Sequence, residues 1–270
     1  MYYQNVRSLK NKAEDFFCSC LSENFNIIVL TETWLSPEFP TSVIFDDRYQ
    51  VFRNDRNVFN SNKTCGGGVL VAVEKSFNPI ELSVIQVPVE HIFVKFSAGV
   101  QKYIIGAVYL PPASDETVYA SHVNTVTDIC NTITDSEVMI LGDYNLPNIV
   151  WQPSDVGNEL IPTICSGNRE SCVCDSFLAS GLSQYNNIGN CCDNVLDLVF
   201  SSCMSLEVST SDYPLVCVDQ FHPPLQVECD LACDNNYSVT SPIYYYDFNS
   251  TSYSDICTYF NTINWDTVLN

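Results

Sequence analysis

Short apolar runs rich in β-branched residues recur along the chain, each bounded by turn residues: Asn26 to Leu30, Val69 to Val73, Ile92 to Phe96, Tyr103 to Leu110, Val138 to Leu141, Val195 to Phe200 and Leu225 to Cys229. Runs of this kind predict buried strands. Two other stretches have a helical period. Lys10 to Leu21 is one; in the second, Val118 to Ile133, the residues Val118, Val123, Val126, Ile129, Cys130 and Ile133 recur at helical spacing and would line one face. The strands come in groups with few helices between them, which does not match strict β-α-β alternation. The pattern therefore predicts an α+β fold, an α/β sandwich of two packed, mainly antiparallel or mixed β-sheets flanked by helices.

Cys65-Gly66-Gly67-Gly68 precedes a strand, the reverse of a phosphate-binding loop, which follows a strand and opens a helix. Its expected role is a backbone bend entering Val69 to Val73. Near Asp230 the strand rhythm breaks, with Asp234-Asn235-Asn236, Ser241-Pro242 and Tyr244-Tyr245-Tyr246. A core domain over 1–230 is expected, then a linker over 231–270 with one short helix, Ser254 to Ile263. The chain reads as a fragment of a longer polypeptide.

A chain of 270 residues with 46% hydrophobic content can bury a core of its own. No apolar run reaches the roughly eighteen residues of a membrane span, and the opening Met1 to Arg7 is too polar for a signal peptide. An intracellular protein, nuclear or cytoplasmic, is expected. The fourteen cysteines sit in a long chain rather than a short secreted one, which favours free thiols over a disulfide framework. Their close pairs lack the spacing of a structural zinc site. Net charge is −21, which argues against non-specific grip on a nucleic-acid backbone. Ten of the eleven Lys and Arg lie in residues 1–102, so any phosphate-holding surface is expected in that half. Lys10, Lys12, Arg53, Arg56 and Lys63 are the basic residues there considered for backbone contact, although solvated surface is the ordinary reading of each.

The strongest local chemical signal is Gly142-Asp143-Tyr144-Asn145, at the end of the run Val138 to Leu141. An acid and an amide two residues apart at a strand end can face one pocket, but Asp and Asn also favour turns that close a strand. Glu32 likewise follows an apolar run, where it offers a hard cation a carboxylate oxygen. Asp197 is embedded in Val195 to Phe200, and a buried carboxylate needs a partner. A histidine is the natural one. His222 stands at a bend fixed by Pro223 and Pro224, a loop position that a scaffold can aim into a cleft. His91 and His122, before a strand and within a helix, suit structural or exposed roles.

Taken in order, these segments resemble the endonuclease/exonuclease/phosphatase superfamily over residues 2 to about 229. The resemblance implies an apurinic-endonuclease- and deoxyribonuclease-like sandwich. It places the family's opening Asn at Asn5, the metal-binding Glu at Glu32, the phosphate-facing Tyr at Tyr109 and the Asp-x-Asn pair at Asp143 and Asn145. The His-orienting Asp falls at Asp197 and the final His at His222. Within that superfamily, Tyr2 to Leu9, Leu30 to Leu35, Tyr109 to Pro112 and Asp219 to Leu225 look like the endonuclease domain of arthropod-type non-LTR retrotransposons. The tail from Tyr246-Asp247-Phe248 to Trp265-Asp266 is similar to the linker leading to their reverse transcriptase. This implies a Mg²⁺- or Mn²⁺-dependent enzyme that nicks DNA to leave a 3′-hydroxyl and is covalently continuous with a reverse transcriptase domain. Two positions depart from the superfamily pattern: Arg7 stands where many members have an acid, and Phe221 where many have an acid before the final His. Asp219 is then expected to supply a further carboxylate to the metal beside Glu32 and Asn5, and Arg7 to meet a phosphate together with Asn145. A phosphatase of lipid or inositol headgroups and a decayed or secreted binding version of the fold are the competing readings.

Overall fold

The computed structural model describes residues 1–61, 63, 65–155, 157–229 and 252–265. Contacts divide the chain into two compact units, Met1–Ser238 and Val239–Asn270. The first runs β1 (Tyr2–Asn5), α1 (Ala13–Ser22), β2 (Ile27–Thr31), β3 (Tyr49–Asn54), β4 (Val69–Glu74), β5 (Ile80–Glu81), β6 (Glu90–Ala98), β7 (Gln101–Tyr109) and α2 (Glu116–Thr132). It continues through β8 (Glu137–Asp143), β9 (Ile149–Pro153), β10 (Leu160–Cys165), α3 (Asn168–Ala179), β11 (Ser183–Gln184), β12 (Asp197–Ser201), β13 (Leu206–Thr210) and β14 (Leu225–Cys229). In the second unit the described part is α4 (Tyr253–Thr262), one residue offset from the helix expected there. The remainder of the expected linker, 231–251 and 266–270, lies outside the described residues.

Two sheets form, one of six strands in the order β13-β14-β1-β2-β4-β3 and one of eight in the order β5-β6-β7-β8-β12-β11-β10-β9. Neighbours are antiparallel except β1 with β2 and β7 with β8. Each parallel pair is bridged by a helix, α1 and α2, as a crossover requires. Side chains alternate across a strand, and here both faces are covered. On the first sheet, Tyr2, Ile28, Leu30 and Leu70 join Phe16 of α1 in one cluster. Their neighbours Tyr3, Val29 and Val71 meet Ile105, Leu141 and Val199 of the second sheet. The opposite face of that sheet, with Ile104, Val108 and Ile140, packs on Val126 of α2 and Phe177 of α3. Double coverage is why these strands read as unbroken apolar runs.

Eight elements escaped the apolar-run reading: β1, β3, β5, β9, β10, β11, β13 and α3. In β1, half of the residues are polar, yet Gln4 and Asn5 are buried. Strands β9 and β10 form a half-exposed edge hairpin with little apolar content facing in. Strand β12 begins at Asp197 rather than Val195, and α1 at Ala13 rather than Lys10. No disulfide joins the cysteines among the described residues. No helix among them is long and apolar enough to cross a membrane.

Candidate active site

Strand register assembles the site. Tyr109 at the end of β7 pairs with Asp143 at the end of β8, and Asp143 pairs with Asp197 at the start of β12. Residues directly opposite one another share a face, so these three side chains project together toward the first sheet. From that sheet the parallel pair β1/β2 sets Asn5 against Thr31, and Glu32 follows at once. Both sheets thus deliver polar residues to one end of the sandwich. Gly142 makes the approach possible, because a Cβ there would collide with the carbonyl oxygen and side chain of Val108 on β7. Glu32 and Asn145 occupy the left-handed region with φ of 51° and 50°, strain of the kind held at functional sites.

A continuous polar network joins these residues. Asn5 Nδ2 donates to Asp143 Oδ2 at 3.0 Å and to Glu32 Oε1 at 3.4 Å, bridging two carboxylates. The other Glu32 oxygen accepts from the indole N–H of Trp34 at 3.1 Å. His222 Nδ1 lies 2.9 Å from Asp197 Oδ2, and the Tyr3 hydroxyl donates to Asp197 Oδ1 at 2.6 Å. The Nε2 of His222 is 3.8 Å from Asp143 Oδ2. Asp143, Asp197 and His222 are all buried. The partner that Asp197 required is therefore the histidine at the proline bend.

Burial raises the Asp143 carboxyl well above the usual carboxylate range, and the charges of Asp197 and Glu32 add to this against the opposing pull of His222 and the Asn145 N–H. Burial alone would lower His222, but the hydrogen bond and charge of Asp197, with the charge of Asp143, outweigh it and raise the imidazole to about 9. The Tyr109 phenol is pushed up by burial and by the carboxylates of Glu32 and Asp143. The site therefore favours the charged form of His222, the protonated phenol of Tyr109 and proton uptake at Asp143. Such groups can take up and donate protons around one reacting centre.

The structure brings together Asn5, Glu32, Tyr109, Asp143, Asp197 and His222. Asn145 follows Asp143 in an Asx-type turn, its N–H donating to Asp143 Oδ1 at 3.1 Å and its amide to the Leu110 carbonyl at 2.9 Å. The turn and the site are one feature. Arg7 pairs with Asp219 at 2.8 Å and its guanidinium stands over the Phe221 ring, so the two departures from the family pattern belong to one cluster. Asp219 faces that guanidinium, and the Oδ1 of Asn5 accepts from the Arg7 backbone N–H at 3.2 Å. Ligand atoms of Asp143, Asp197 and His222 lie within 4.8 Å of one another, close enough to share an ion. Because Asp197 and His222 already bond to each other, the open carboxylate capacity is that of Asp143 and of Glu32 across Asn5. Crowded oxygen donors around a wholly buried acid fit a hard divalent cation.

Three features went unread in the sequence. Tyr3 anchors Asp197, and its only signal was a phenol in a buried strand, which needs a partner. Trp34 touches Glu32 from two residues away. Arg53 and Arg56, weighed as backbone contacts, are instead taken up by Asp55 and Glu90, with the Arg56 side chain only 6% exposed. His91 and His122 are buried in a chain that runs from the His91 ring to the His122 ring at 3.1 Å and on to the Tyr144 hydroxyl at 3.1 Å.

No family model and no curated protein matches the chain by sequence. Solved structures do match. The endonuclease domain of TRAS1, a telomere-specific non-LTR retrotransposon, superposes with a TM-score of 0.57 at 11% identity, over 85% of this chain and 97% of its own. The 3′-5′ exonuclease NExo from Neisseria meningitidis gives 0.57 at 15%, over 84% and 99%. An endonuclease/exonuclease/phosphatase family protein from Leptotrichia buccalis C-1013-b gives 0.54 at 14%, over 84% and 98%. The chain has the endonuclease/exonuclease/phosphatase fold.

Proposed function

We propose that the chain is a divalent-metal-dependent phosphodiesterase, specifically a DNA endonuclease that leaves a 3′-hydroxyl and nicks target DNA for a non-LTR retrotransposon. One observation carries the reading: the buried His222–Asp197 pair faces Asp143, which Asn5 ties to Glu32. Glu32, kept in place by Asn5, would hold Mg²⁺ or Mn²⁺, which supplies Lewis acidity to the phosphate and to the departing oxygen. Asp143 orients the attacking water and accepts its proton, a role suited to its raised proton affinity. The second amide N–H of Asn145 donates to a phosphate oxygen. His222, held as imidazolium by Asp197, stabilises charge developing on the phosphoryl group, and the protonated phenol of Tyr109 donates from the other side. Arg7 meets the neighbouring phosphate, and Asp219 serves by aligning that guanidinium rather than as a metal ligand.

The retrotransposon part rests on the sequence resemblance, which also implies a reverse transcriptase in the same polypeptide. Supercoiled plasmid incubated with the protein and Mg²⁺ at low salt should relax to open circles that a polymerase extends directly, because the nick carries a 3′-hydroxyl. Nicks that need phosphatase treatment before extension would overturn the assigned product. A phosphatase of lipid or inositol headgroups is favoured by the −21 charge and by cations already paired with acids, among them Arg48, Arg53, Arg56, Lys95 and Lys102. Phosphate release from inositol polyphosphates with plasmid left intact would select that reading.

A further inference from the structure

The glycine triplet that the sequence singles out is not used by the chemistry above, yet it touches the site through one residue. Gly66, Gly67 and Gly68 all have positive φ, of 80°, 68° and 86°. The Gly67 and Gly68 carbonyls accept from the backbone N–H groups of Trp34 at 2.8 Å and Thr33 at 3.2 Å, which fastens the chain just beyond Glu32. On its other flank the Glu32 carbonyl accepts from Ser8 N–H at 2.8 Å. Against Gly66 lies the indole itself: a Cβ there would stand 3.5 Å from Trp34 Nε1 and 3.3 Å from Arg56 Nη1. Trp34 holds a positive φ of 54° and is 40% exposed, an unusual conformation for a large aromatic at a surface. Its ring N–H is what reaches Glu32 Oε2.

From this geometry we infer that Trp34 is a positioning residue for the metal-holding carboxylate, seated by the glycine triplet, and that its indole N–H holds Glu32 Oε2 so that Oε1, the oxygen facing Asn5, is presented to a divalent cation. The inference rests on the reading of Glu32 given above. Carboxylates that bind metal are oriented by their own hydrogen-bond donors, and loss of such a donor weakens metal binding by roughly 10- to 100-fold. Phenylalanine keeps an aromatic ring and removes the N–H, whereas alanine at Gly66, where φ is +80°, strains the backbone that seats the indole and leaves the indole itself intact.

The test is calorimetric titration of Mn²⁺ into the whole protein and into Trp34→Phe, Gly66→Ala and Glu32→Gln, with circular dichroism and melting followed in parallel. Trp34→Phe should raise the Mn²⁺ Kd by about 10- to 100-fold with melting unchanged, and Gly66→Ala should shift it in the same direction. Excited at the red edge, Trp34 should also report Mn²⁺ through an emission change that Trp34→Phe loses. If Glu32→Gln abolishes Mn²⁺ binding while Trp34→Phe leaves the Kd unchanged, the role of Trp34 is overturned and the assignment of Glu32 stands. If Glu32→Gln leaves Mn²⁺ binding intact, the reading on which both rest is overturned.

Discussion

Replacing Asp197 with Asn tests the polar network at its most buried point. The substitution keeps the shape of the side chain and its capacity to accept from Tyr3, but removes the charge facing His222. In the native protein His222 is raised from 6.5 to about 9. That difference of about 2.5 units corresponds to roughly 3.4 kcal/mol, at about 1.4 kcal/mol per unit. A folded-state value above the unfolded one gives stability that is fully present below pH 6.5 and disappears as pH rises through about 9. At pH 7 the imidazolium can escape its lost partner by releasing a proton, which limits that part of the loss to roughly 2.7 kcal/mol, two units' worth. Burial remains in the variant and only the charge of Asp143 still raises the imidazole, so its His222 should titrate well below the native value. NMR titration of the imidazole carbons, with urea unfolding near pH 6 and above pH 9, reads both quantities. The native advantage should narrow sharply between those conditions. A variant His222 that still titrates near 9, or a stability gap independent of pH, would mean that Asp197 is not what holds the imidazolium.

Other parts of the structure give separate expectations. Burial lowers His91 to about 4 and His122 below its usual range, so both favour the neutral form in the folded state. Their contribution is intact above pH 6.5 and is lost as pH falls toward 4, which urea midpoints measured across that window should show, with a shallower slope in His91→Phe. Gly142→Ala forces a methyl group into the Val108 carbonyl and should destabilise by about 3 kcal/mol or more in thermal melts; a melt within a degree of the native protein would contradict this. Arg56→Met strands the buried Glu90 carboxylate and should lose about 3 to 5 kcal/mol. The double variant Arg56→Met/Glu90→Gln should recover part of that loss, and failure to recover any would mean the pair is not the source.

The candidate site was legible in the sequence where a polar residue ends an apolar run. Glu32 and Asp143 were visible that way, Asp197 as an acid inside such a run, and His222 as a histidine locked by prolines. What could not be read was register. That Tyr109, Asp143 and Asp197 sit in one row depends on how β7, β8 and β12 align, which is a tertiary outcome. The same holds for the pairing of Asp219 with Arg7 from the opposite end of the chain. Strand β1 is absent from the apolar runs because its inward polar residues, Gln4 and Asn5, interrupt the pattern, and Asn5 bonds to Asp143 and Glu32. Arg53 and Arg56 looked like surface charge because sequence alone does not show Asp55 and Glu90 folding over them.

Conversion of supercoiled plasmid to open circles at low ionic strength reads out directly whether this site cleaves DNA with a divalent metal. It should be run with Mg²⁺, with excess EDTA, and with Asp143→Ala and His222→Ala proteins whose circular dichroism matches the native one. Nicking should require Mg²⁺ or Mn²⁺, stop on chelation and be absent from both variants. Undiminished nicking in both variants, or nicking indifferent to EDTA, would contradict the proposed function.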